Sequence, residues 1–359
     1  MNTRQFFRLA AAAFATAVLA LAASPYNLQS GKADLKSAGA LAFGPDGILF
    51  VGDTSGASVY ALDVRDRNPS AAGGSLEVAG INAKIAAMLG AAPDQILIND
   101  TAVNPLSKNV YLSVSRGRGP DAIPVILRVD RAGKISEVPL ADIPHSSVRF
   151  ADPPDPASNG RQVETITSMA YVDGNVLVAG LSNEEFSSAL RSLPFPFNDS
   201  TKGAGIRIYH GSHGRYETAA PVRTFVPYEF GGQKQILAAY TCTPLVKIAV
   251  SDLKPGARVQ GTTIAELGAG NRPLDMIVYE KGGKHFILLA NSARGVMKLP
   301  ADNLDSYNPI TAHTEPAGVP YETIAGLKGV QHLNKFDDAT ALILESADGS
   351  VNLRTVPLP

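Results

Sequence analysis

Apolar residues in this chain come in short runs separated by tight polar turns, and the arrangement recurs six times. The paired runs are Ala40–Phe43 with Ile48–Val51, Thr101–Val103 with Val110–Leu112, and Met169–Tyr171 with Val176–Val178. They continue as Leu237–Tyr240 with Leu245–Ile248, Met276–Tyr279 with Phe286–Leu289, and Val330–Phe336 with Ala341–Leu344. Short apolar runs bounded by turn residues predict strands rather than helices. The turns carry hairpin chemistry, as in Pro45-Asp46-Gly47, Asp173-Gly174-Asn175 and Gly282-Gly283. A third strand follows several pairs, at Ser58–Leu62, Val125–Val129, Gly205–Tyr209 and Gly295–Leu299. Small sheets repeated in this way predict an all-β chain folded as a six-bladed β-propeller. Seven blades is the alternative if the fourth repeat hides an extra sheet.

The predicted innermost strands begin near residues 39, 100, 167, 238, 275 and 330, an uneven spacing that insertions account for. One insertion runs over 148–162 and another over 182–202. Helical periodicity is confined to Asn82–Leu89 and Asn183–Leu193. The last blade has three evident strands, ending with Val351–Val356, and an open edge is an aggregation hazard. An N-terminal strand from Tyr26–Leu35 is expected to close it.

Residues 1–24 read as a secretory signal: Arg4 and Arg8, then a nearly unbroken apolar run from Leu9 to Leu21, then small residues before Ser24-Pro25. Residues 25–359 form the propeller. An exported protein is therefore expected, periplasmic or secreted, with no membrane span once the signal is removed. Loss of Arg4 and Arg8 takes the formal charge from −1 to −3, which argues against nucleic acid as a partner. A single cysteine, Cys242, rules out an internal disulfide. No nucleophile elbow, phosphate loop or dinucleotide motif is present, and no catalytic residue is assigned.

Propeller geometry sorts the loops. Innermost strands begin on one face, here termed upper, which also carries the turns between second and third strands. On that face Asn99, Asp100, Asp275 and His332 gather at the channel mouth, with Arg116, Arg118, Asn183, Asn291 and Arg294 on longer loops around it. This polar rim suits a small polar ligand or a protein partner. Cys242, His332 and Asp275 together are competent ligands for zinc or copper, provided Leu245–Ile248 is the innermost strand of its blade. The alternative is that Cys242 is a small buried hydrophobe and His332 bonds backbone carbonyls. His210 and His213 are expected on the opposite face, in the turn after the third strand of blade 3.

The phrase from Leu41 to Asp53, LAFGPDGILFVGD, resembles inner-blade sequences of NHL-repeat and SMP-30/gluconolactonase-like propellers. Ile98-Asn99-Asp100-Thr101-Ala102-Val103-Asn104-Pro105 resembles the metal-binding asparagine motif of the same group. The resemblance implies a central divalent cation, often calcium, polarising a lactone or ester carbonyl. Carried onto this chain it gives Asn99 and Asp275 as ligands with Thr167 or Asp100 completing the shell, while Gly39 stands where the family has a glutamate. Three functions follow from these readings. The first is an exported binding propeller, the second a metal-dependent lactonase or esterase, and the third a copper or zinc site at Cys242 and His332.

Overall fold

The computed structural model describes residues 26–359 except 71–73, 156–159, 201, 231, 243 and 348, so the expected signal over 1–24 lies outside the described residues. The described residues form six sheets arranged as the blades of a propeller, antiparallel apart from the parallel pairing of Gly205–Arg207 with Arg258–Gln260. Their innermost strands are Leu41–Phe43, Ile96–Val103, Ser168–Val172, Thr224–Phe230, Pro273–Lys281 and Val330–Lys335, defining blades 1 to 6 in chain order. Among the described residues no helix is long and apolar enough to cross a membrane.

The order of the blades in space differs from their order in sequence. Six apolar clusters fill the gaps between neighbours. Each takes alternate residues from a strand, because successive side chains point to opposite faces of a sheet. In blade 1, Ile48 and Phe50 pack with Met169 and Val176 of blade 3, whereas Leu49 and Val51 pack with Ala102 and Tyr111 of blade 2. Blade 2 turns its other face, through Val110, Leu112 and Leu127, to Leu342, Leu344 and Leu353 of blade 6. The remaining clusters join blades 3 and 4, 4 and 5, and 5 and 6. The ring therefore runs 1–3–4–5–6–2, with blade 2 standing between blades 6 and 1.

This order explains how the ring closes. After blade 1 the chain passes the lower end of blade 2, where buried Asp66 accepts hydrogen bonds from Ser107 Oγ (2.7 Å), Asn109 Nδ2 (2.9 Å) and Tyr111 Oη (3.0 Å). It then lays Glu77–Val78 against Leu353 and Arg354 as the fourth strand of blade 6. The last blade thus takes its closing strand from early in the chain, but not from the 26–35 segment. Within that segment Gln29–Gly31 pairs with Ile143–His145, which is itself the fourth strand of blade 1. The segment leading into blade 2 is the one beside blade 6, so it supplies the closure.

Two further expectations need correction. The expected helix over Asn183–Leu193 is instead the strand Ser188–Pro194, third in blade 3, and Ala204–His210 becomes the fourth. What looked like helical periodicity there is a strand buried on both sides, with Arg191 wholly inside. Blade 4 starts at Thr224 rather than near 238, so Gln233–Ala239 is its second strand and Pro244–Ala249 its third. Pro227 obscured the first strand. A proline is tolerated on an innermost strand, one side of which has no partner in the ladder. The helix Ile81–Leu89 does form, burying Ile81 and Ile85 between blades 2 and 6.

Candidate functional site

The axial site is built by one device used three times. In blades 2, 5 and 6 the innermost strand carries a β-bulge, between Ile98 and Asp100, between Pro273 and Asp275, and between Val330 and His332. A bulge inserts one residue and re-aims the next side chain. Each bulge here immediately precedes a residue of a single cluster, Asp100, Asp275 and His332, whose ligating atoms lie within 4.8 Å of one another. His332 Nδ1 stands 3.3 Å from Asp100 Oδ1 and 3.8 Å from Asp275 Oδ2. The side chains keep 17–20% of their surface exposed, so the cluster is not sealed inside the packed core.

Both carboxylates are pinned by backbone donors. Asp100 accepts from Leu41 N of blade 1 (2.7 Å) and from Thr101 N (2.7 Å). Asp275 accepts from Leu333 N of blade 6 (2.8 Å) and from Met276 N (2.8 Å). One bond of each pair ties neighbouring blades, so both residues also hold the ring together. Burial and then the charge of Asp100 push the Asp275 carboxyl up to about 7, against the opposing pull of His332 and the backbone donors. Burial alone would lower the His332 imidazolium. The hydrogen bond and charge of Asp100, with the charge of Asp275, outweigh it and raise His332 above its usual value. The cluster is an acid, a base and a second carboxylate sharing protons in a confined space.

The other sequence-derived candidates are placed differently. Asn99, a bulge residue, gives its amide hydrogens to Ala38 O (2.8 Å) and Ser115 Oγ (2.9 Å), and Thr167 gives its hydroxyl hydrogen to Val222 O (2.6 Å). These bonds are inter-blade or intra-blade ties. The three groups clustered at the axis are two carboxylates and an imidazole, a set that suits transition ions better than calcium, which takes six to eight oxygen ligands. Arg116 bonds Leu89 O, and Arg118 bonds Asp94 O twice while lining a cavity of about 420 Å3 between blades 2 and 6. Arg294 reaches Ala269 O, and Asn291 is buried in bonds to Asn271, Leu289 and Gly295. Asn183 is exposed on its loop and donates its backbone N–H to Asp152 O.

Cys242 is not with His332. The turn carrying Thr241 and Cys242 joins the second and third strands of blade 4, on the upper face, though through neither register considered from sequence. It lies beside His210 and His213, which the hidden strand of blade 3 carries to the upper face instead of the lower. Sequence reasoning also missed Arg223, which precedes the unrecognised first strand of blade 4. Its guanidinium pairs with Glu164 (2.5 Å) and bonds Thr241 Oγ1 (3.0 Å), forming part of the rim.

No family model matches the chain, and no curated protein matches it. Solved structures similar to it include extracellular domains 1–2 of Drosophila Semaphorin 1b, at 12% identity over 92% of this chain and 88% of that one, TM-score 0.41. Another is an oxidoreductase from Thermus thermophilus described as a glucose dehydrogenase, at 12% identity over 92% and 100%, TM-score 0.39. Streptogramin B lyase is similar at 10% identity over 92% and 97%, TM-score 0.32. The chemistry of the site rests on its own geometry.

Proposed function

We propose that this chain is an exported binding propeller whose axial cluster, Asp100, Asp275 and His332, receives a small cationic ligand, an amine or a metal ion. The observation that supports it is the convergence of three bulge-directed side chains on one point. Blade tying explains one oxygen of each carboxylate. It does not explain why two like charges are held together with an imidazole between them, an arrangement that costs stability and is characteristic of functional sites. A cation would take the place of the protons that Asp275 and His332 hold near neutral pH, so its arrival allows both to give them up. The rim pair Arg223–Glu164 provides polar groups of both signs at the mouth.

A second reading, a metal-dependent lactonase or esterase, is favoured by one feature. Asp275 is held near neutrality beside an imidazole, where it is poised for proton transfer. Calorimetric titration with Mn2+ and, separately, with a small diamine tests the binding reading on wild type, Asp275→Asn and His332→Gln. Saturable binding weakened at least tenfold in both variants is expected. Binding of neither probe, or equal binding in the variants, would overturn it.

A further inference from the structure

A second polar centre lies on the upper face between blades 3 and 4, away from the axis. His210 ends the fourth strand of blade 3, His213 closes the short turn that follows, and Cys242 comes from the facing loop of blade 4. One ring nitrogen of each histidine and the thiol sulfur lie within 4.8 Å of one another, and the two ring centroids are 3.8 Å apart with the planes tilted by 34°. Glu217, on the adjoining strand Arg215–Glu217, fixes both rings. Its Oε2 is 2.9 Å from His210 Nδ1 and its Oε1 is 2.8 Å from His213 Nδ1. Both Nδ1 atoms are thereby committed as donors, which leaves the two Nε2 lone pairs as the remaining acceptors.

His210 is 3% exposed, and its Nε2 is buried with no hydrogen-bond partner among the described residues. Such an orphaned atom costs stability unless something bonds it. Cys242 has a left-handed backbone (φ 64°), uncommon for a residue with a side chain, and its N–H is held by Asn271 O at 2.8 Å. A carboxylate that orients two imidazoles through Nδ1 beside a thiol is the outer shell typical of a transition-metal site.

We infer that His210, His213 and Cys242 form a three-ligand site for a borderline-soft transition ion, zinc or copper, with Glu217 as the residue that positions both imidazoles. A thiolate and two imidazoles exclude calcium and magnesium, which take oxygen ligands. Metal–ligand bonds of about 2.0–2.3 Å put ligand atoms roughly 3.3–3.8 Å apart, so a contraction of at most about 1.5 Å closes the site. On binding, the thiol proton leaves to solvent and the sulfur bonds the ion as thiolate. The site has three protein ligands, so a fourth position stays open to water or a small ligand.

The experiment uses the full mature chain, stripped with a chelator and purified without a metal-binding tag. Co2+ is titrated as a spectroscopic substitute and Zn2+ against a chromophoric competitor. Because Cys242 is the sole cysteine, a sulfur-to-cobalt charge-transfer band reports this site alone. One equivalent of Co2+ should produce that band, and Cys242→Ser should abolish it and weaken Zn2+ at least 100-fold. Glu217→Gln should weaken Zn2+ by about 10–100-fold with the band retained. The band should persist in Asp275→Asn, which separates this site from the axial one. Absence of the band in wild type, or equal Zn2+ affinity in Cys242→Ser and wild type, would overturn the assignment. Circular dichroism of each variant confirms that the fold is intact.

Discussion

Loss of the charge on Asp152 should destabilise the propeller sharply. Arg191 sits on the strand of blade 3 that reads from sequence as a helix within an insertion, and its side chain is 0% exposed, against 1% for Asp152. Its Nε and Nη2 bond Asp152 Oδ1 at 3.0 and 2.9 Å, Nη2 also bonds Leu181 O at 3.0 Å, and the guanidinium lies 4.2 Å over the Phe150 ring. The other carboxylate oxygen accepts from Gly203 N at 2.9 Å. Asp152→Asn keeps an acceptor for that backbone group but leaves a guanidinium buried without its counter-charge. Breaking a buried pair from one side costs about 3–5 kcal/mol. For a domain of this size that is a fall in Tm of roughly 6–10 °C, at about 2 °C per kcal/mol. Arg191→Met should cost a similar amount, because it strands the carboxylate. The double variant removes both charges, so it should recover at least half of the loss of either single variant. Thermal melts at pH 7 on the four proteins make the comparison. A drop of less than about 1 kcal/mol for Asp152→Asn, or additive losses in the double variant, would refute the reasoning.

Other outcomes follow from the same structure. Glu266 is 1% exposed, and burial, aided by Glu315 and Glu217 and opposed by the backbone N–H groups of Gly211 and Ser212, pushes its carboxyl up to about 7. A carboxyl whose pKa is raised by folding favours the folded state when protonated, so stability should fall as pH rises from about 4.5 to about 7. Glu266→Gln should remove that slope and melt higher relative to wild type at pH 8 than at pH 5; parallel profiles would contradict it. Val78 is 2% exposed in the two-residue strand that closes blade 6, and Val78→Lys should cost about 3 kcal/mol or more by burying a charge. Ser30→Pro, on the exposed outer edge of blade 1, should cost less than about 1 kcal/mol, since proline is accepted on edge strands. The opposite order in denaturant unfolding would mean that the 26–35 segment closes the ring after all.

The hydrophobic pattern carried the blade count because paired inner strands buried on both faces are near-continuous apolar runs, as at Ile48–Val51 and Phe286–Leu289. The strands it missed are those whose sequences contain a disguise. Pro227 interrupts the first strand of blade 4, and Arg191 places a cation in the third strand of blade 3. Missing the third strand of blade 3 puts His210 and His213 on the lower face. Missing the first strand of blade 4 lets Leu245–Ile248 stand as innermost, which groups Cys242 with His332 at the channel mouth. The spatial order of the blades had no local signal, because it depends on which side of each strand meets which neighbour. Asp100, Asp275 and His332 were legible as channel residues from their place near the start of innermost strands. Their convergence was not, since it depends on three bulges that leave no distinctive residue in the sequence.

If the axial cluster exchanges protons for a cation, the protons released on binding can be counted. Mn2+ is titrated calorimetrically at pH 6 and pH 8, each in two buffers of different ionisation enthalpy. Binding should release at least half a proton per Mn2+ at pH 6 and less at pH 8, and should tighten as pH rises over this range and Asp275 and His332 lose their protons. Mn2+ affinity that is independent of pH, with no buffer-dependent heat, would contradict it.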